Sequence, residues 1–246
     1  MNILVAGDSI TEGITGRSYI RLLQQQRPEH RYINLGLGGD TLKGITKRTL
    51  RFLRKRGDVD LLIFQAGHND IILPSFAERS LPFRIFYRIL KQRGSVPTSG
   101  VKAFERVYRH TLHNLMRQTS GEILVLTLSC ITESPDSRED TLRREYNAAI
   151  KRAALDSGIA VADIGDAFDA ELKYGGSSYK NFNVRGIVVD GIISRLPQGA
   201  ERISIRRDLH LTIDGVHLND RGAQLYADVI MREIDSAVCR EQNATG

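Results

Sequence analysis

Four short blocks of this sequence hold residue types that can do chemistry together. They are Gly7-Asp8-Ser9-Ile10-Thr11, Asn34-Leu35-Gly36-Leu37-Gly38-Gly39-Asp40-Thr41, Gly67-His68-Asn69-Asp70 and Asp214-Gly215-Val216-His217. A serine hydroxyl is a poor nucleophile until an imidazole takes its proton. Ser9 supplies the hydroxyl and His217 the imidazole. Asp214, three residues earlier, is near enough in sequence to hold the His217 ring in the tautomer that leaves one nitrogen for Ser9. A tetrahedral intermediate on Ser9 then needs hydrogen-bond donors aimed at its oxyanion. The Gly38-Gly39 turn offers backbone N–H groups that no side chain blocks. Asn69 adds a side-chain amide, and Ser9 its own N–H. Asp8, Asp70 and Asp40 read as braces that accept backbone N–H groups within their loops.

Any one of these blocks alone reads as a turn. Four of them in order, each placed past a predicted strand or ahead of the last predicted helix, point to an acyl-transfer site. His68 takes a structural or substrate-facing role, because the Asp214/His217 pair already supplies a base. His210 is a weaker rival for that base. His30, His110 and His113 are expected at the surface.

The elements that must position these residues follow from hydrophobic periodicity. Asn2–Ala6, Tyr32–Leu35, Asp60–Ala66, Ile123–Leu128 and Ile159–Asp163 read as strands. Asp60–Ala66 is a continuous apolar run of the kind that parallel sheets bury on both faces. Helices are predicted over Arg17–Gln26, Leu42–Arg56, Val101–Gln118, Arg138–Ser157 and Asp220–Arg240. Strands alternating with helices imply a parallel sheet covered on both faces, with ligands outside the carboxyl ends of the strands.

The four blocks resemble the SGNH (GDSL-type) hydrolase family, over residues 1–70 and 210–235. The family's nucleophile matches Ser9, its oxyanion glycine Gly39, its asparagine Asn69, and its DxxH pair Asp214 and His217. Ile10 stands where the family often has Leu. The resemblance implies a flavodoxin-like three-layer α/β/α sandwich and metal-independent hydrolysis of esters or thioesters, with no cofactor. An O-acyltransferase or a carbohydrate O-acetylesterase would use the same residues. A metallophosphoesterase is a remote alternative: the cluster reads His-Asn rather than Asn-His, and no Asp-x-His starts the chain. A phosphate-binding module would leave Ser9, Asn69 and His217 unexplained.

The 246 residues fit one domain, 1–246, with insertions at about 73–100 and 165–209. The first insertion contains a basic amphipathic segment, Leu81–Arg93, with Phe83, Phe86, Ile89 and Leu90 on one face and Arg84, Arg88 and Lys91 on the other. The second contains Gly-Gly-Ser-Ser at 175–178 and β-like residues at Ile187–Ile193. Long insertions of this kind serve as lids or specificity loops. Net charge is +6, but seven basic residues and no acidic one lie between Lys43 and Arg56, and nine against two between Phe76 and Arg117. Such clusters suit an anionic substrate, membrane surface or acidic carrier protein. No nucleic-acid motif accompanies them. The expected substrate is a small-molecule ester, an acylated sugar or a lipid. Cys130 and Cys239 read as idle thiols of a reducing compartment. With no signal-peptide pattern and no long apolar span, a cytoplasmic location is expected.

Overall fold

The computed structural model describes residues 1–244 other than 58, 77–80, 174–176, 178 and 180–183. From the amino end the elements are β1 (Asn2–Gly7), α1 (Ser9–Glu12), α2 (Tyr19–Gln26), β2 (Arg31–Gly36), α3 (Leu42–Arg56), β3 (Leu61–Phe64), α4 (His68–Phe76) and α5 (Leu81–Gln92). They continue with α6 (Val101–Met116), β4 (Glu122–Leu126), α7 (Arg138–Asp156), β5 (Ala160–Ala162), α8 (Ile164–Leu172), α9 (Val184–Ile193), α10 (Gly199–Arg207) and α11 (Asp220–Ala244).

The five strands form one parallel sheet in the order β2-β1-β3-β4-β5. Side chains alternate between its faces, so each strand feeds two cores. Ile3, Val5, Ile63 and Leu126 meet Tyr19 and Leu23 of α2, Phe168 of α8 and Tyr226 and Ile230 of α11. Leu4, Ala6, Leu62, Phe64 and Val125 meet Leu42 and Ile45 of α3, Phe104 and Leu112 of α6 and Ile150 of α7. The result is the α/β/α sandwich of flavodoxin-like order. Here β1 lies between β2 and β3, and the chain crosses in opposite directions on its two sides. That reversal opens a crevice at the carboxyl ends of β1 and β3.

Two stretches depart from the sequence reading. The β-like residues at Ile187–Ile193 are helical, within α9. β-branching is a weak preference that tertiary contacts override. Here Asp190 anchors the helix by a two-pronged pair with Arg207, at 2.7 and 2.8 Å. The chain from His68 to Gln92 is mostly helix as α4 and α5, so the first insertion has a framework of its own. Within α5, Phe83 and Leu90 are buried while Ile89 is exposed, so Ile89 does not share their face. The Gly-Gly-Ser-Ser stretch falls largely outside the described residues, as does the side chain of Cys239. Cys130 is a buried free thiol. Among the described residues no helix is long and apolar enough to cross a membrane.

Candidate active site

Ser9 opens the one-turn helix α1, immediately past β1. Asp8 caps that turn by accepting the Ile10 N–H at 3.0 Å. The turn lies so close to the strand end that a side chain at Gly7 would have to displace Thr11: a Cβ there would sit 2.0 Å from Thr11 Oγ1. At the neighbouring strand end, Gly39 has φ +75°, a conformation that favours glycine. The adjacent Gly38 N–H donates to Glu12 Oε2 at 3.1 Å. Glu12 thus ties the α1 turn to the glycine turn, and burial holds its carboxyl above the ordinary value in spite of that bond.

Arg48 of α3 locks the same two turns from behind. Its guanidinium pairs with Asp40, donates to Gly7 O at 2.9 Å and to Leu35 O at 3.0 Å. A planar five-donor group can reach three acceptors at once, as an ammonium cannot. Asn69, at the start of α4, donates Nδ2 to Asp40 O at 2.9 Å, which uses one of its two N–H bonds. Asp70 accepts the N–H groups of Leu42 and Thr98 at 2.8 and 2.7 Å, and burial pushes its pKa up to about 6.

The Asp214–His217 loop is a short hairpin closed by the Thr212/Leu218 bridge. His217 Nδ1 lies 2.7 Å from Asp214 Oδ2, and His217 Nε2 lies 3.0 Å from Ser9 Oγ. The other Asp214 oxygen accepts the N–H groups of Val216 and His217, at 3.0 and 2.8 Å. Burial opposes charge on Asp214, but the neighbouring His217 and these hydrogen bonds carry its pKa below the ordinary value. Burial likewise opposes charge on His217, and the Asp214 carboxylate outweighs it, raising the imidazole above 6.5. With Nδ1 engaged by a carboxylate, Nε2 of the neutral ring is left to accept the Ser9 proton.

His68 is fully buried, with Nδ1 3.2 Å from Asp8 Oδ2 and Nε2 3.2 Å from Ser129 Oγ. The chain of bonds continues through Tyr226 O–H, which donates to Ser129 Oγ at 3.0 Å. Gln65 in turn donates to Tyr226 at 3.1 Å. This buried network links β1, β3, the end of β4 and α11 beneath Ser9. His210 is exposed and does not share the site, and His110 and His113 are exposed as well. His30 is half-buried beside Tyr32 instead of at the surface. Among the described residues, no three His, Cys, Asp or Glu side chains converge to hold a metal ion.

Ser9, Gly39, Asn69 and His217 line one end of a cavity of about 400 Å³, a size usual for small-molecule sites. Its other walls are Leu37, Ile72, Leu73, Phe76, Leu90 and Val216, with Arg93 at the rim. Leu73, Phe76 and Leu90, outside the four sequence blocks, therefore supply much of the cavity wall.

Two anchoring residues escape a reading of sequence motifs. Glu133 is completely buried and accepts the N–H groups of His210, Leu211 and Thr212 and the Thr212 hydroxyl, at 2.6 to 2.8 Å. No sequence signal marks it: Glu133 stands between Thr132 and Ser134, seven residues past the end of β4. Arg48 was hidden inside a run of surface cations.

A GDSL-like lipase/acylhydrolase family model matches residues 5–225. The chain belongs to that family and is an ester-hydrolysing enzyme. Among solved structures it resembles a member of the lipolytic G-D-S-L family from Veillonella parvula, at 15% identity and TM-score 0.61, covering 94% of this chain and 97% of that one. It also resembles the acetyl xylan esterase AlAXEase, at 19% identity and TM-score 0.58, over 95% and 100% of the two chains. The acetylxylan esterase Axe2 of Geobacillus stearothermophilus is similar at 18% identity and TM-score 0.59, over 95% and 93%. At these identities the likeness is one of fold. No curated protein matches the chain.

Proposed function

We propose that the protein cleaves carboxylic esters or thioesters through an acyl-Ser9 intermediate. The observation that carries this reading is the Asp214–His217–Ser9 line, with contacts of 2.7 and 3.0 Å, ending in the wall of the cavity. Ser9 Oγ attacks the acyl carbon while His217 Nε2 takes the hydroxyl proton. The tetrahedral oxyanion is held by the N–H groups of Ser9 and Gly39 and the second N–H of Asn69. Gly38 is not counted among these donors because Glu12 already accepts its N–H. His217 then passes its proton to the leaving alcohol or thiol. Water attacks the acyl carbon as His217 takes its proton; the acyl–Oγ bond then breaks, the carboxylic acid leaves, and His217 returns the proton to Ser9 Oγ.

The apolar walls support an acyl group longer than acetyl. Acetylated sugars are the competing reading, favoured by the fold shared with proteins named as acetyl xylan esterases. A fluorophosphonate should label the wild-type protein and leave Ser9→Ala unlabelled; a label retained by that variant would overturn the nucleophile. Activity should persist in EDTA. Rates on p-nitrophenyl esters from acetate to palmitate should peak at a medium chain, whereas a maximum at acetate favours the sugar-ester reading.

A further inference from the structure

Helix α5 has two working faces. On the inner one, Phe83 and Leu90 are buried, and Leu90 lines the cavity beside Gly39. On the outer one, Leu81, Ile85 and Ile89 are 66%, 48% and 42% exposed. Their spacing of four residues sets them in one stripe along the helix. Arg84, Arg88 and Lys91 form a second exposed stripe beside it, and α5 contains no acidic residue. Among the described residues none of these cations forms an ion pair. Arg93, also exposed, donates its N–H to Ile89 O at 3.1 Å and so sits one turn beyond Ile89. Arg93 lies at the cavity rim, and so does Leu37, 48% exposed. The apolar stripe therefore runs to the mouth of the cavity.

We propose that the outer face of α5 docks on an anionic lipid surface and that the cavity receives the acyl chain of an ester held there. An apolar stripe flanked by cations is the pattern of a helix lying in a membrane interface: acyl tails take the leucine and isoleucines, and lipid phosphates take the arginines. A second copy of this chain fits poorly, because a symmetric contact would bring two cationic stripes together. An acidic protein would answer the charges, but it offers no apolar phase for three exposed aliphatic side chains. The proposal extends the ester-cleavage reading to a membrane-held substrate. Vesicle binding is read without turnover, so the two can fail separately.

The test is co-sedimentation of the full-length Ser9→Ala protein with vesicles of phosphatidylcholine alone or mixed equally with phosphatidylglycerol. Binding to the mixed vesicles should exceed binding to neutral ones by at least about tenfold at low salt and weaken as salt rises. In the same background, Ile85→Ser/Ile89→Ser and Arg84→Glu/Arg88→Glu should each reduce that binding by about tenfold or more. With Ser9 intact, both double variants should hydrolyse soluble p-nitrophenyl acetate as the parent does, which shows that they fold. No preference for anionic vesicles, or undiminished binding by both double variants, overturns the proposal. A dimer that dissociates in Ile85→Ser/Ile89→Ser without any vesicle binding overturns it in favour of self-association.

Discussion

Glu133 receives both the backbone N–H and the side-chain hydroxyl of Thr212 on a single oxygen, each at 2.7 Å. That contact fixes the start of the hairpin that carries Asp214 and His217. Glu133→Gln keeps one acceptor oxygen but turns an N–H toward the donors that the other oxygen served. It should destabilise the fold by about 2 kcal/mol and lower kcat with little change in KM. Urea unfolding and steady-state kinetics check this; an unchanged unfolding midpoint would sink it.

Under the proposed acyl-serine mechanism, protonation of His217 should set the acid limb of the activity profile. Its pKa is raised above 6.5, and only the neutral ring can accept the Ser9 proton. The value of kcat/KM should therefore rise with pH through a midpoint above 6.5. Asp214→Asn removes the carboxylate that raises the pKa, so the midpoint should move to lower pH. The same change should cost roughly 10³–10⁴-fold in kcat, because the ring loses its tautomer. A midpoint that stays put in Asp214→Asn would show that another group titrates.

Arg48 joins Asp40, Gly7 O and Leu35 O. Arg48→Lys retains the charge but reaches fewer of these acceptors. We expect a loss of about 1–3 kcal/mol in stability and a drop in kcat as the two turns separate. Substitution of Lys43, also in the basic run but exposed, should change stability by less than about 0.5 kcal/mol. Equal thermal shifts for the two would contradict the clamp.

Leu73 is buried in the wall of the cavity. Leu73→Trp should fill much of the space that an acyl chain would take. Hydrolysis of p-nitrophenyl octanoate should fall by about tenfold or more relative to acetate. A uniform loss on both esters would mean that the acyl chain leaves the site by another route.

The convergence of Ser9, Asn69, Asp214 and His217 on one cavity was legible because each belongs to a short motif at a strand end or a helix start, and local chemistry marks such places. The buried strands were legible for a similar reason, since a run such as Leu61–Phe64 has no other stable use. Glu133 was not, because its partners lie 77 to 79 positions away and no local pattern announces them. Counting charges also could not separate Arg48 from its exposed neighbours, since composition says nothing about which guanidinium faces inward. The helix α9 was misread because branched side chains favour a strand only weakly. Its Asp190–Arg207 anchor becomes visible only once both helices are folded.

Ser9 and His217 stand 208 positions apart, one just past the first strand and the other just before the last helix. During synthesis the serine leaves the ribosome 208 residues ahead of its base. Every nascent chain that ends short of that point carries the Ser9 hydroxyl without the His217 imidazole that contacts it in the folded protein. Under the acyl-serine mechanism, such a chain cannot attack the esters of the cell around it, and reactivity arrives only when the sheet and its final helix can close together.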